Sequence, residues 1–530
     1  MATQLDFPAL SKQMMGKWTT EGFDILVSYS EEKVNQLLRA RSEQLKSILK
    51  MGPLETSYVD PLTDETIHLN VFMDLEHPLL QFEDEHGNIT LTFDIQKGHY
   101  VIIAKNITKD LPSGMAISFK TTLNNVKGTV ESSQSEDEPT GKGVKTASAN
   151  ELVIFNPGEK DISQHVCITF EKASADFIGT TEESKKRVAG MAFLLGAVKE
   201  YFQQHAELKY FVAGVSNKYN PESGSDSLQP RSFRFNTLKG KTKNDESALC
   251  MWISVKEGTN RPESYTQAFE GTFYANGLIP IPRGRTCSLI MHNDLLIKQF
   301  IMPNLSKGFK SFKDKTSGKG GLNLSATMIA DDIDIKEMKK KESWGPGGIK
   351  TTTVDPMKFS LSDPETTISF GDGIISKSNK INYTNKQQVK WKTDTVTGRV
   401  PGHEHGTTNL EFKWTATGSW KDKKTPGHPN LLGFDWAGDK NWTITKSAED
   451  VHWWEAFGGA SNKIPEPLQN LQVPSPNTKL EMNTLDYFLT TNLLYPGKHI
   501  FDADDPSSGS TDKGLAFPHD LILTGETKIK

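Results

Sequence analysis

"FDILVSYSEEKVNQLL", Phe23 to Leu38, reads as a short apolar strand that passes without a loop into a helix. "DILVSY" is the strand, apolar enough to be buried. Ser30 is placed to cap the helix, and Glu31 and Glu32 put carboxylates in its first turn, where the positive end of the dipole favours them. Val34, Leu37, Leu38, Leu45, Ile48 and Leu49 then fall on one stripe, and Gly52-Pro53 is expected to end the helix. The same order returns in "CSLIMHNDLLIKQFI", Cys287 to Ile301: a strand with Leu289, Ile290 and Met291, a polar turn in which Asp294 can cap, and a helix carrying Leu295, Leu296, Phe300 and Ile301. An offset of 263 lays Val34, Leu37 and Leu38 on Ile297, Phe300 and Ile301, whereas the strands align at 264. Strand-turn-helix is a common local pattern, so chance recurrence and a diverged repeat, each half packing a helix into its own curved sheet, both stay open.

Outside these two units the pattern is mostly of period two. "TIHLNVFMDL" puts Ile67, Leu69, Val71, Met73 and Leu75 on one face, and "NITLTFDI" does the same with Ile89, Leu91, Phe93 and Ile95. "MAISFK" and "HVCITF" continue it, which predicts an antiparallel, half-buried sheet. Residues 131–143, "ESSQSEDEPTGKG", read as a solvated hairpin tip. A second helix is expected from Ser184 to about His205, roughly 33 Å long, with Val188, Met191, Ala192, Leu195, Val198 and Phe202 on its stripe. "SFRFNTL", "ALCMWISV" and "RTCSLIM" follow as strands. "SWGPGGIKTTTVDP" reads as a boundary or long connection. In "NLEFKWTATGSW", Leu410, Phe412, Trp414, Ala416, Gly418 and Trp420 share a face, and seven of the ten tryptophans lie at or after Trp391. A last helix over "TLDYFLTTNLL" is expected before "YPGKHIF" and the terminal strand "DLILTGE".

At 530 residues the chain exceeds one conventional core, and the reading divides it into halves, 1–285 and 286–530, the second with the Trp-rich β region. The net charge of -5, from 61 Lys+Arg against 66 Asp+Glu, lacks the basic excess of a nucleic-acid binder, and no reader motif is present. Cys167, Cys250 and Cys287 each sit in an apolar strand-like run too far apart for a metal cluster, and read as buried thiols. No secretory leader and no membrane-spanning run is seen, so the expectation is a protein of the producing cell's cytoplasm, with any release by a non-classical route.

Catalytic chemistry is sparse, and no catalytic residue and no cofactor is assigned. "GHEHG" offers His403 and His405 as metal ligands on one strand face, with His428 or His452 as distant completions, but without helical H-E-x-x-H spacing. "GKT", Gly240 to Thr242, has Phe235 where a P-loop needs its upstream glycine. One segment suggests a surface role instead. "SKGFKSFKDKTSGKGG" carries Lys307, Lys310, Lys313, Lys315 and Lys319 interleaved with Phe309 and Phe312, a composition that can meet anionic headgroups while rings enter the interface. The alternative is a solvated basic loop whose phenylalanines pack inward. "KEMKKK", Lys336 to Lys341, lies close by in sequence.

The opening "EGFDILVSYSEEKVNQLL" resembles the N-terminal signature of the tubular lipid-binding (TULIP) proteins of clostridial neurotoxin gene clusters, the forty-seven-kilodalton accessory protein and its OrfX companions. There an aromatic-Asp pair leads a strand into a helix with Val-Asn near its start, matched by Phe23, Asp24, Val34 and Asn35, although members often carry Trp where this chain has Phe23. "LQPRSFRFNT", "GLIPIPRGRTCSLIMHNDLLIKQFIMPNL" and "TNLLYPGKHIF" extend the likeness to the middle and the end, while residues 131–143 and much of 345–405 match nothing in it. The resemblance implies an α+β, elongated TULIP-like architecture: long curved antiparallel sheets wrapped around long helices in pseudo-repeated halves. It also implies lipid or phosphoinositide headgroups as ligands, a toxin or companion accessory proteins as partners, and no enzymatic activity.

Three function classes follow. A lipid-binding or membrane-surface accessory protein predicts extractable lipid or salt-sensitive vesicle binding. A protein-protein interaction scaffold in a toxin complex, its groove filled by its own side chains, predicts a stable complex without lipid. A hydrolase built around His403 and His405 predicts a tightly held metal.

Overall fold

Ile25–Ser30 and Cys287–Met291, the strands of the two units read from the sequence, are antiparallel neighbours in one sheet, with Leu26 paired to Ile290. In a computed structural model of the chain, the structure describes residues 1–44, 46–129, 144–156, 162–205, 210–217, 228–242, 244–258, 273, 276–316, 320–371, 379–397, 400–422, 431–439, 441–454, 464–473, 480, 485–486, 493–494, 499–505 and 513–529. The sequence-predicted hairpin tip at 131–143 lies outside them. The architecture is mostly antiparallel sheet with few helices, and it groups into two compact units. One comprises Met1–Gln299, Asp422–Leu432 and Leu485–Lys530, and the other Phe300–Lys421 and Gly433–Thr484.

The first unit holds two sheets. The one built on the opening strand runs in the order His499–Ala503, Leu521–Ile529, Cys287–Met291, Ile25–Ser30, Ala248–Val255, Pro230–Leu238 and Val153–Ile154, and so joins strands from both sides of residue 285. Every residue of Ile25–Ser30, Ala248–Val255 and Cys287–Met291 is buried, as expected of strands covered on both faces. On one face Leu26, Cys250, Trp252, Ile290 and Ile522 pack against Phe7, Leu10 and Met14 of a helix, Phe7–Met14. That helix was not anticipated. Its signal is present in "DFP": the Asp6 carboxylate accepts the Ala9 N–H at 2.8 Å as N-cap, and Pro8 fits the first turn.

The residues that carry the family resemblance tie elements together. Fully buried Asp24 accepts the Val255 N–H at 2.9 Å, fixing the end of Ala248–Val255. Asn35 clamps the strand Leu79–Phe82, accepting the Leu80 N–H at 2.7 Å and donating to the Leu80 carbonyl at 2.9 Å. Glu31 accepts the Phe82 N–H at 2.6 Å, and Ser30 Oγ accepts the Lys33 N–H at 3.2 Å, as its capping position predicts.

The second sheet of this unit orders Lys50–Val59, Thr66–Leu75, Asn88–Ile102, Met115–Thr129, Ile162–Gly179, Tyr210–Ser216 and Leu493–Leu494. Leu69, Val71, Met73, Ile89, Leu91 and Phe93 face its core as the alternation predicted. Leu195–Gln204 lies against it, with Phe202 set among Phe93, Phe119 and Phe170 at ring separations of 5.2, 4.5 and 5.0 Å.

Four local expectations are corrected. The opening helix is Glu31–Gln44, so Ile48 and Leu49 lie beyond it, and Gly52-Pro53 falls inside the strand Lys50–Val59. Gly52 adopts φ +124° at a β-bulge, where a Cβ would come within 2.6 Å of the Val71 carbonyl oxygen. The helix expected over Ser184–His205 is Glu182–Val188, a 3-10 stretch Ala189–Leu194, and Leu195–Gln204; Gly190 and Gly196 weaken the α-helical path there. His292, not Asp294, caps Asn293–Leu296, accepting the Asp294 N–H at Nδ1. Within "TLDYFLTTNLL" the described residues are strands, Leu485–Asp486 paired to Leu431–Leu432 and Leu493–Leu494 to Gly214–Val215, because backbone partners on two sheet edges outweigh the helical pattern.

The second unit is built on two long strands, Asn379–Thr397 and Val400–Asp422, paired from Asn379↔Gly418 to Thr397↔Val400. Phe309–Asp314, Leu322–Met328 and Thr366–Phe370 extend the sheet from Asn379–Thr397, while Leu431–Gly438 and Thr443–Trp454 extend it from Val400–Asp422. Leu410, Phe412, Trp414, Ala416 and Trp420 are buried on the predicted common face. Gly418 belongs there because a Cβ would meet the Phe434 ring at 2.3 Å. Trp391, Trp414, Trp420 and Trp442 are all core residues.

Candidate membrane-facing surface

Phe309–Asp314 is the outer strand of the second unit's sheet, hydrogen-bonded on one side to Leu322–Met328. Phe309, paired to Met328, is 1% exposed, and Leu305 before it is equally buried. The register slips between Lys310 and Lys313, and Ser311 there takes φ 55°. The bulge leaves Phe312 half-buried, and Lys307, Lys310, Lys313 and Lys315 are all exposed. Lys313 pairs with Glu365, and Thr316 N–H closes a turn on Asp314 Oδ1 at 2.7 Å. The structure thus brings four of the predicted lysines onto one edge and turns the Phe309 ring inward. Lys319 lies outside the described residues.

The basic cluster "KEMKKK" and the segment "SWGPGGIKTTTVDP", which reads as a boundary or long connection, together form a hairpin. Met338–Trp344 pairs with Gly348–Val354, which pairs with Asn379–Thr397 on the side that also carries Thr366–Phe370. Between Met338 and Val354 four lysines stand against one glutamate. Glu342 is held below the usual carboxylate range by its hydrogen bond from Lys340. The strand signal was in "IKTTTV", whose β-branched residues favour a sheet, and in the Gly-rich turn before it.

His403 and His405 alternate along Val400–Asp422, on its solvent side. The His403 Nδ1 lies 2.7 Å from Asp394 Oδ1, and the register sets His452 opposite His405. Among the described residues, no group of three or more His, Cys, Asp or Glu is arranged to hold a metal ion. Cys167, Cys250 and Cys287 are buried, and burial pushes the Cys250 and Cys287 thiols up to about 12, so these two are inert as nucleophiles.

Two concavities do not suit an acyl chain. One of about 420 Å³ on the outer sheet face is lined by Lys386, Gln388, Asn409, Glu411 and Glu449. Another of about 530 Å³ is lined by Glu31, Glu83, Lys239, Asp245 and Glu246, where burial raises the carboxyl pKa of both Glu31 and Glu246. Its carboxylates repel an anionic headgroup.

No protein-family model matches the chain, and no curated protein does. Among solved structures, the chain is similar to P47 of Clostridium botulinum E1, with 12% identity, a TM-score of 0.44, and coverage of 96% of this chain and 99% of that one. P47 from Clostridium botulinum A2 follows at 11% identity and a TM-score of 0.41, covering 96% and 98%. A lipopolysaccharide binding protein matches at 9% identity and a TM-score of 0.27, covering 96% and 99%. P47 is the forty-seven-kilodalton protein named by the resemblance of the sequence segments.

Proposed function

We propose that this chain is a non-enzymatic, lipid-binding accessory protein that works at an anionic membrane surface in support of a protein toxin. The observation that carries the reading is the lysine edge: Lys310 and Lys313 stand exposed on an outer strand that Phe309 anchors from inside, and Lys307 and Lys315 stand exposed just before and just after it. Each lysine near an anionic leaflet contributes on the order of 1 kcal/mol, so the four together suit reversible, salt-sensitive docking. The toxin context comes from the sequence resemblance alone.

The proposal keeps the two strand-to-helix units as diverged copies of one motif. The 264-residue offset of the strands carries Leu26 onto Ile290, and these two residues are paired to each other. The pairs Ile25↔Met291 and Val27↔Leu289 then exchange under the same offset, which is the register a local two-fold axis requires.

One observation favours the second reading, an interaction scaffold in a toxin complex without an open groove. The space between Leu195–Gln204 and its sheet is occupied by Phe93, Phe119, Phe170 and Phe202. Native mass spectrometry with lipid extraction, followed by vesicle flotation, separates the two. The membrane reading expects binding to phosphatidylserine vesicles that weakens with salt. Replacing the four lysines by glutamine should weaken it by roughly a hundredfold or more. A clean apoprotein that ignores anionic vesicles would leave the scaffold reading in place.

A further inference from the structure

The tip of the hairpin Met338–Val354 has a chemistry of its own. Trp344, Ile349 and Val396 are 50%, 54% and 52% exposed, and the register sets Ile349 and Val396 side by side on one face of the sheet and Trp344 on the other. Ile349 is paired directly with Val396 on one side and with Ser343 on the other, while Trp344 is paired with Gly348 across the turn. The turn, Gly345-Pro346-Gly347, is exposed among the described residues: a Cβ on Gly345 or Gly347 would meet nothing within 4 Å, and both residues take positive φ, 63° and 77°. Below the apolar tip the shank is basic. Lys350 sits over the Trp344 ring, 5.5 Å from its centroid, and Lys339 and Lys341 are exposed on the outer strand.

Three exposed apolar side chains at a free tip above a lysine collar are costly in water, and they match the two layers of a membrane interface. Tryptophan is suited to the headgroup level, where its ring is apolar and its N–H remains wet. One hairpin tip of the first unit, between Lys50–Val59 and Thr66–Leu75, supplies a contrast. Val59 and Leu62 are also exposed there, but Asp60, Asp64 and Glu65 surround them, a charge that repels an anionic leaflet.

We infer that the hairpin Met338–Val354, with Val396 of the strand beside it, is a membrane wedge: Trp344, Ile349 and Val396 enter the interface of an anionic bilayer, and Lys339, Lys341 and Lys350 hold its headgroups. This rests on the membrane-surface reading, but it places the insertion on a different element from the lysine edge at 307–315.

The test uses the full chain and vesicles of phosphatidylcholine mixed with phosphatidylserine, some carrying bromine on the acyl chains. The variant Trp344→Ala/Ile349→Ser/Val396→Ser should fold as the parent does, since all three residues are exposed, and should bind at least about tenfold more weakly. Trp344→Phe should keep most of the binding and lose most of the bromine quenching, which identifies Trp344 as the inserted ring among the ten tryptophans. If the parent binds and the triple variant binds equally, or quenching survives in Trp344→Phe, the wedge is wrong and the lysine-edge reading stands. Loss of binding in the triple variant but not in the 307–315 glutamine variant keeps the wedge and removes the edge. A parent that ignores anionic vesicles overturns both.

Discussion

Asp24 has no exposed surface, and Gly258 passes so close that a Cβ there would lie 1.9 Å from its Oδ2. The carboxylate and the glycine therefore act as a pair: one supplies the acceptor for Val255 N–H, and the other lets the chain fold back over it. Gly258→Ala should displace Asp24 and destabilise the protein by about 2 to 4 kcal/mol, read as a lowered thermal midpoint. Asp24→Asn, which keeps an acceptor oxygen, should cost less than Asp24→Ala. A second residue-scale consequence concerns acid. His165 is buried against the Phe211 ring, and burial lowers its pKa to about 4 from an ordinary 6.5. Between those values the unfolded chain takes up a proton that the folded chain refuses, so stability rises with pH across that window and falls as pH drops from 6.5 towards 4. The loss is on the order of 3 kcal/mol by pH 4. His292 adds to the same trend, its pKa lowered by burial against the opposing pull of Asp520. His165→Leu should flatten the acid limb of a thermal-midpoint profile while leaving its neutral plateau nearly level.

Among the elements, the outer strand Phe309–Asp314 shows how one set of lysines serves two physical ends. An open sheet edge invites pairing with another chain, and the register slip at Lys310 to Lys313 with the exposed lysines opposes it. Lys310→Val with Lys313→Val should therefore raise self-association, measured by light scattering during size-exclusion chromatography, with no loss of the intramolecular fold. The lysines' exposure was legible in the sequence, because charged side chains are seldom buried unpaired. The inward turn of Phe309 was one of two readings there, and alternation alone cannot choose between them: it puts Phe309 and Phe312 on opposite faces, and the bulge at Ser311, which decides their final exposure, has no marked residue type. The same limit explains the rest. Strands such as Thr66–Leu75 and Asn88–Ile102 were legible because one wet face enforces a period of two. The stripe from Val188 to Phe202 did suggest a helix, but its division at Ala189–Leu194 depends on how each turn seats on the sheet beneath. The hairpin Met338–Val354 was hidden because its lysines and glycines look like a linker until pairing with Asn379–Thr397 is known. Its exposed Trp344, a large ring in a polar stretch, was a further signal beside the β-branched run "IKTTTV".

At the scale of the whole molecule, chain order and spatial grouping diverge. The sequence halves meet at residue 285, yet Ile25–Ser30 lies between Ala248–Val255 and Cys287–Met291, which in turn pairs with Leu521–Ile529. A fragment 1–285 would leave Ile25–Ser30, six buried residues in the full chain, as an open apolar edge, and would remove Ile290 and Ile522 from the core around Trp252. Such an edge is a template for aggregation. Residues 300–484, by contrast, keep both long strands and their aromatic core of Phe370, Phe412, Trp414, Trp420 and Phe434. Expressed separately, 1–285 is expected in the insoluble fraction. Residues 300–484 are expected to be soluble, with a structured near-ultraviolet spectrum from the buried tryptophans and a single cooperative melt. A soluble, cooperatively melting 1–285 beside an unfolded 300–484 would mean that the folding units follow the sequence halves, and that pairing across residue 285 is a late docking of two finished pieces.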